Sequence, residues 1–229
     1  GRGYITIQKL VLDGGGGATG HVIRINGDAA TDVVVQDNEI TGAVNGSGVI
    51  VGGTAHRYTI QRNWIHANGT SHFDHGGYLQ SDFGIFTQNL VELNSGRGVQ
   101  WYRGGKPAPN NATVTHNIFR NNCAHATAAG KVEVTLGGRG HIFSNNIVST
   151  TTGTCAVSVQ VAYGTAGPGD DLIRHNALYN TKSGTTKGIQ LASANNVSIQ
   201  NNIILGYTTS VSSEGSTAGT TLTTNLTTG

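Results

Sequence analysis

One short phrase recurs nine times along the chain and limits what it can fold into. The phrase reads apolar–x–apolar–polar–x–Asn–x–apolar and occupies residues 5–12, 33–40, 58–65, 84–91, 112–119, 141–148, 171–178, 197–204 and 220–227. Its Asn position is filled by Leu10, Asn38, Asn63, Asn89, Asn117, Asn146, Asn176, Asn202 and Asn225, at spacings of 28, 25, 26, 28, 29, 30, 26 and 23 residues. A period in this range builds solenoids or propellers, in which each unit buries its apolar face against the next. A functional site on such a fold is a stretch of a long face.

Apolar residues alternate within each unit, which is strand periodicity. One inward column runs Ile7, Val35, Ile60, Phe86, Val114, Phe143, Ile173, Ile199, Leu222; a second, five residues on, runs from Leu12 through Ile40 and Ile65 to Ile204 and Thr227. Between them lies a polar column that includes Gln8, Gln36, Gln61, Thr87 and Gln200, as expected of half-buried strands. The Asn marks a tight bend, where it tolerates a left-handed backbone. Stacked Asn amides can also bond from coil to coil. A further strand precedes each phrase: residues 23–25, 49–51, 77–79, 99–101, 132–134, 157–159 and 189–191. Three short strands per coil, with no helical stretch between them, predict an all-β, single right-handed parallel β-helix of about nine coils, since crossovers between parallel strands are right-handed. Coils about 4.8 Å apart would make a rod of roughly 40 Å.

The phrases VVVQDNEI, YTIQRNWIHANG, HGGYLQSDFGIFTQNLVELNSGRGVQWY, ATVTHNIFRNN and VSIQNNIILG resemble the right-handed parallel β-helix repeats of the pectate-lyase-like superfamily. The resemblance covers essentially the whole chain. It implies fold rather than activity, because that fold carries lyases, hydrolases, epimerases, tail-spike domains and adhesins.

One repeating domain is expected over residues 1–229. The chain opens at Gly1 without a signal-peptide pattern or polar cap, and strand pattern begins by Ile5. It is therefore read as a processed or excised part of a longer chain, with end-to-end self-association or flanking domains expected. Charged residues are 11% and the net charge is +2, with no basic run to suggest nucleic acid and no apolar stretch long enough to span a membrane. A polar, loop-rich solenoid suggests a secreted or cell-surface protein. Cys123 and Cys155 fall in equivalent loops of adjacent coils, within reach of a disulfide or simply as two small apolar residues.

In families of this fold the substrate commonly lies along the strand that follows the longest loops. Here that strand carries Arg24, Ile50, Tyr78, Gln100, Glu133, Ser158 and Gln190 outward. Chemistry concentrates on the middle coils. Lys131, Arg97, His75 and Tyr78 are the candidate catalytic residues; Gln80, Gln100, Tyr102, Arg103, Lys106 and Glu133 are candidates for substrate binding. Aromatic faces beside planar polar groups suit sugars, and the cations suit a carboxylated or sulfated glycan. The expected partner is therefore an acidic polysaccharide. A lyase acting on a uronic acid needs a cation to neutralise the carboxylate, a base and an acid. Arg97 or Arg103 fits the first role, and Lys131, His75 or Tyr78 the others. A hydrolase needs a carboxylate pair, and Glu133 has only Asp74 and Asp82 nearby in repeat terms. A polysaccharide lyase is therefore favoured over a glycoside hydrolase, with a non-catalytic glycan-binding or structural module as the alternative.

No specific catalytic family is matched. The Asn-Thr-Asp, Asp-Asp, Gly-His-Gly and Arg-Ile-Lys set of polygalacturonase-like enzymes is not assembled, nor is the Asp-Pro-His of alginate epimerases. The stretch Asn63-Trp64-Ile65-His66 resembles only faintly the pectate-lyase Trp-Ile-Asp-His. No cofactor is expected. A divalent cation such as calcium is compatible with the fold but not indicated, although His72-x-Asp74-His75 holds ligand-type residues. His66, Glu92 and Arg120 should stack as a surface charge ladder, and Trp101 should point into the core.

Overall fold

A computed structural model describes residues 4–15, 20–27, 30–104, 108–125, 132–151, 154–162 and 167–228. The chain winds as a parallel β-solenoid of three sheets, with no helix among the described residues. The first sheet stacks nine strands from Thr6–Gln8 to Thr221–Thr223, and the second stacks nine from Val11–Asp13 to Leu226–Thr228. The third stacks eight, from Ile23–Ile25 through Val49–Val51, Gly77–Leu79, Val99–Trp101, Val132–Leu136, Val157–Val161 and Lys187–Ala192 to Thr209–Glu214. The nine phrases thus build eight complete coils, not nine; the last phrase supplies the first two strands of a further coil.

Alternation turns the two apolar columns inward. Val35, Ile60, Phe86, Val114, Phe143, Ile173 and Ile199 are all fully buried, as are Ile40, Ile65, Val91, Phe119 and Val148. Phe86, Phe119 and Phe143 stack ring over ring, with centroids 6.1 and 6.2 Å apart, and Trp101 meets Phe86 edge-on at 5.9 Å. The indole of Trp101 donates to the Tyr58 hydroxyl at 3.2 Å, so its polar edge is satisfied inside the core.

At the bend the left-handed residue is the one before the Asn, not the Asn itself. Lys9, Asp37, Arg62, Gln88, His116, Asn145, His175, Asn201 and Thr224 all have φ between 51° and 58°. This turn points the Asn side chain inward. Each amide oxygen then serves the coil before it: Asn63 Oδ1 accepts the main-chain N–H of Asn38 at 3.1 Å and its Nδ2–H at 3.0 Å. The same pair of bonds runs through Asn89, Asn117, Asn146, Asn176 and Asn202 to Asn225. The polar groups of a buried bend are thereby satisfied at every step.

The structure also holds a second, shorter stack. Asn68, Asn94 and Asn122, each five residues past its bend Asn, repeat the same bonding: Asn94 Oδ1 takes Asn68 N and Nδ2, and Asn122 Oδ1 takes Asn94 N and Nδ2. Gly48, Gly76 and Gly98 sit where a Cβ would come 2.8 Å from the Nδ2 of Asn68, Asn94 and Asn122 respectively. Glycine there leaves room for the stack. All three asparagines are wholly buried. Cys123 and Cys155 are joined by a disulfide, with Cα atoms 5.3 Å apart.

Candidate functional site

Parallel pairing fixes which residues share the outward row of the third sheet. The row runs Arg24, Ile50, Tyr78, Gln100, Thr135, Gln160, Gln190 and Ser212. Two expected members are corrected. Thr135 stands where Glu133 was placed and Gln160 where Ser158 was placed, because the pairing is displaced by two residues after the loop that ends before Val132.

Glu133 consequently aligns with Gly98, whose N–H donates to the Glu133 carbonyl at 2.9 Å. At this corner the side chain enters the coil. Its carboxylate takes the next place in the second Asn stack, with Oε1 accepting Asn122 N at 3.1 Å and Oε2 accepting Asn122 Nδ2 at 2.7 Å. It is fully buried and is not on the outer face. Burial pushes its pKa up to about 7, against the hydrogen bonds from Asn122 and the charge of Lys182. Ser158 is likewise buried and bonds the Tyr207 hydroxyl.

The remaining described candidates lie on two consecutive coils. Tyr78 and Gln100 are register partners, and the rings of Tyr78 and Tyr102 lie 6.5 Å apart, both partly exposed, with Gln80 partly exposed beside them. Arg97 enters from the corner before Gln100. It is nearly buried, with Nε donating to Thr135 Oγ1 at 2.9 Å and one Nη to Gln100 Oε1 at 3.3 Å. His75 backs this cation from the preceding coil: its Nδ1 accepts the main-chain N–H of Arg97 at 3.0 Å, and its ring meets Tyr78 edge-on at 5.7 Å. With Nδ1 accepting, the imidazole proton sits on Nε2, facing Gln100. Burial, with Arg97 beside it, pulls His75 down to about 3, so the ring is neutral at neutral pH.

Arg103 lies across Gly53, two coils away, where a Cβ would approach its Nε to 2.3 Å; this sets its guanidinium against the backbone just past the strand Val49–Val51. Lys131 and Lys106 fall outside the described residues. The carboxylates expected near the face are engaged. Asp74 Oδ2 closes its own turn by accepting Thr70 N and Ser71 N, at 3.0 and 2.8 Å, and Asp82 Oδ1 accepts Asn110 N at 2.7 Å. No cluster of three or more metal-ligand side chains occurs among the described residues, so His72, Asp74 and His75 do not converge on one point. The face therefore offers aromatic rings, side-chain amides and cations, the set that packs on sugar rings and meets anionic groups.

Residues 2–148 match the family model described as right-handed beta helix region. Among solved structures, the chain is similar to an alginate lyase from Paenibacillus sp. str. FPU-7, with 13% identity and a TM-score of 0.60 over 96% of this chain and 78% of the lyase. It is similar to the surface protein and adhesin PfbA of Streptococcus pneumoniae, with 12% identity and a TM-score of 0.58 over 97% of this chain and 67% of PfbA. The A-module of the mannuronan C-5 epimerase AlgE6 of Azotobacter vinelandii shares 15% identity at a TM-score of 0.54, over 85% of this chain and 58% of the module. At these identities the likeness is one of fold. No curated protein matches in sequence.

Proposed function

This chain belongs to the right-handed β-helix family, and on that premise we propose that it is an extracellular carbohydrate-active protein whose middle coils bind an acidic polysaccharide and cleave it by β-elimination. The observation that carries the reading is Arg97, a guanidinium held by Thr135 and Gln100, the outward residue paired with Tyr78. A fixed cation at the floor of an aromatic-lined face can neutralise a uronate carboxylate and so acidify the adjacent C–H. Tyr78 and Lys131 then carry the proton transfers, while Gln80, Gln100, Tyr102, Arg103 and Lys106 hold the chain of sugars. His75, neutral and with one nitrogen committed to Arg97, positions that arginine. A carboxylate-pair hydrolysis fits less well, because Glu133 points inward and Asp74 and Asp82 are each engaged. The similar solved structures support the glycan partner and an extracellular setting, being named as an alginate lyase, a mannuronan epimerase and a surface adhesin.

A second reading, a glycan-binding module without catalysis, is favoured by one observation: the two groups nearest the floor, His75 and Arg97, are both nearly buried and hydrogen-bonded. Incubation with polymannuronate, polyguluronate, polygalacturonate, hyaluronan and chondroitin sulfate separates the two. The lyase reading expects the ultraviolet absorbance of unsaturated ends to rise on at least one polymer and to be lost in Tyr78→Phe. Binding with no absorbance change on any polymer leaves the second reading standing alone.

A further inference from the structure

A second aromatic surface lies on a different sheet. The strand Trp64–His66 belongs to the second sheet, where alternation buries Ile65 and turns Trp64 and His66 outward. The indole of Trp64 is 41% exposed, yet it is fixed in place. It stacks on the His66 imidazole with ring centroids 3.8 Å apart and planes 19° from parallel. Its Nε1–H donates to Glu92 Oε1 at 2.8 Å, and Glu92 accepts from Arg120 Nε through its other oxygen. His66 Nε2 lies 3.1 Å from Glu39 Oε1. Four side chains from the coils around Trp64 thus hold one exposed ring. The His66 side chain retains 15% and Glu92 10% of their exposure, so the indole covers its supports and presents its other face outward.

Fixing a large apolar ring at the surface leaves apolar area in water that burial would stabilise; such a ring suits a flat partner with an apolar face. The frame selects its chemistry. Glu39 and Glu92 set two carboxylates against the guanidinium of Arg120 and an imidazole, so no excess of positive charge draws an anion. A pyranose without a charged substituent meets both conditions: its C–H face packs on the indole, and its hydroxyls reach the carboxylate and guanidinium rim. We propose that Trp64, framed by Glu39, His66, Glu92 and Arg120, is a platform for an uncharged sugar residue, separate from the face around Tyr78 and independent of whether that face is catalytic.

The chain has two tryptophans, and Trp101 is fully buried, so ligand-induced change in indole emission reports on Trp64. Titration with linear hexaoses of β-1,4-glucose, β-1,4-mannose, β-1,4-xylose and α-1,4-glucose should give a saturable response to at least one. Trp64→Ala should weaken that binding, read by calorimetry, by at least about tenfold. Glu92→Ala, which keeps the indole but frees it, should weaken it by about three- to tenfold. Tyr78→Ala should leave it unchanged. The proposal is overturned if no hexaose saturates the signal at millimolar concentration, or if binding survives Trp64→Ala. It also fails if sedimentation shows self-association that Trp64→Ala abolishes without any sugar response, because the ring then serves a second copy of the chain.

Discussion

The outward row of the third sheet is built in two different ways along the rod. Toward its C-terminal end the side chains bond along the row: Gln160 donates to Gln190 at 2.8 Å, Gln190 donates to Glu214 at 2.6 Å, and Lys187 closes on the same carboxylate, while Gln160 Oε1 and Ser212 Oγ are buried without a hydrogen-bond partner. Over the middle coils the support comes from the flank instead. Arg97 reaches Thr135 and Gln100 from the corner before the strand, and His75 holds the main chain of Arg97 from the coil before. The tyrosines of that region are left partly exposed. One backbone register can therefore carry either side chains bonded along the row or side chains supported from the flank. What decides is the residue at the corner, and the middle coils place an arginine there.

The largest effect expected from this contrast is at Arg97. Arg97→Ala should weaken acidic-glycan affinity by about 100-fold and also lower the melting temperature, because two nearly buried hydrogen-bond partners lose their donor. Gln160→Ala should change affinity little and stability by roughly 0.5 kcal/mol. Calorimetry and thermal melts on the two variants check this; similar losses in both would erase the distinction between the regions.

Glu133 sharpens the contrast through pH. Its pKa is raised from 4.5 to about 7 by burial, so the folded state keeps the proton over a range where the unfolded chain has released it. Stability due to this group therefore falls as pH rises from 4.5 to about 7, and stays reduced above that. A Gln at this position can accept both Asn122 N–H groups through one oxygen, as each Asn oxygen of the stack does. Denaturant melts of Glu133→Gln against the wild type should show the variant gaining, between those two pH values, up to about 3 kcal/mol. A difference that does not vary with pH would mean the carboxyl is not the titrating group.

A smaller effect separates interior from end in the long Asn stack. Asn117→Ala removes an amide bonded on both sides and should cost about 1–3 kcal/mol. Asn225 serves only the coil before it among the described residues, and Asn225→Ala should cost under about 1 kcal/mol. Equal shifts in melting temperature would refute the stack as the source of the difference.

The repeat made most of the fold legible in the sequence. The two columns from Ile7 and Leu12, the bend at each Asn, the inward Trp101 and the proximity of Cys123 to Cys155 all follow from register. The second stack carried a signal of its own, an Asn five residues past Asn63, Asn89 and Asn117, which the single-phrase reading passed over. Glu133 was misplaced for a physical reason. Alternation has a period of two, so a two-residue displacement after a loop preserves the in–out pattern and leaves no trace in it. Nor does alternation hold at the corner, where Gly48, Gly76 and Gly98 mark the point at which a side chain would enter the coil. Three glycines followed by a glutamate at that position in pairing were readable only once the pairing was known. Tyr78 and Gln100 do share the outward register that alternation predicts. The burial of His75 and Arg97 was not, because loop residues at corners do not announce their direction.

The most direct measurement is the affinity of the wild type, Tyr78→Ala and Gln190→Ala for one acidic oligosaccharide, chosen from a polymer that the wild type binds, by isothermal titration at fixed salt. Tyr78 and Gln190 occupy the same outward register on different coils. The expected result is a loss of at least about tenfold for Tyr78→Ala with Gln190→Ala unchanged. Equal affinity in all three proteins, or a loss confined to Gln190→Ala, would place acidic-glycan recognition somewhere other than the middle coils.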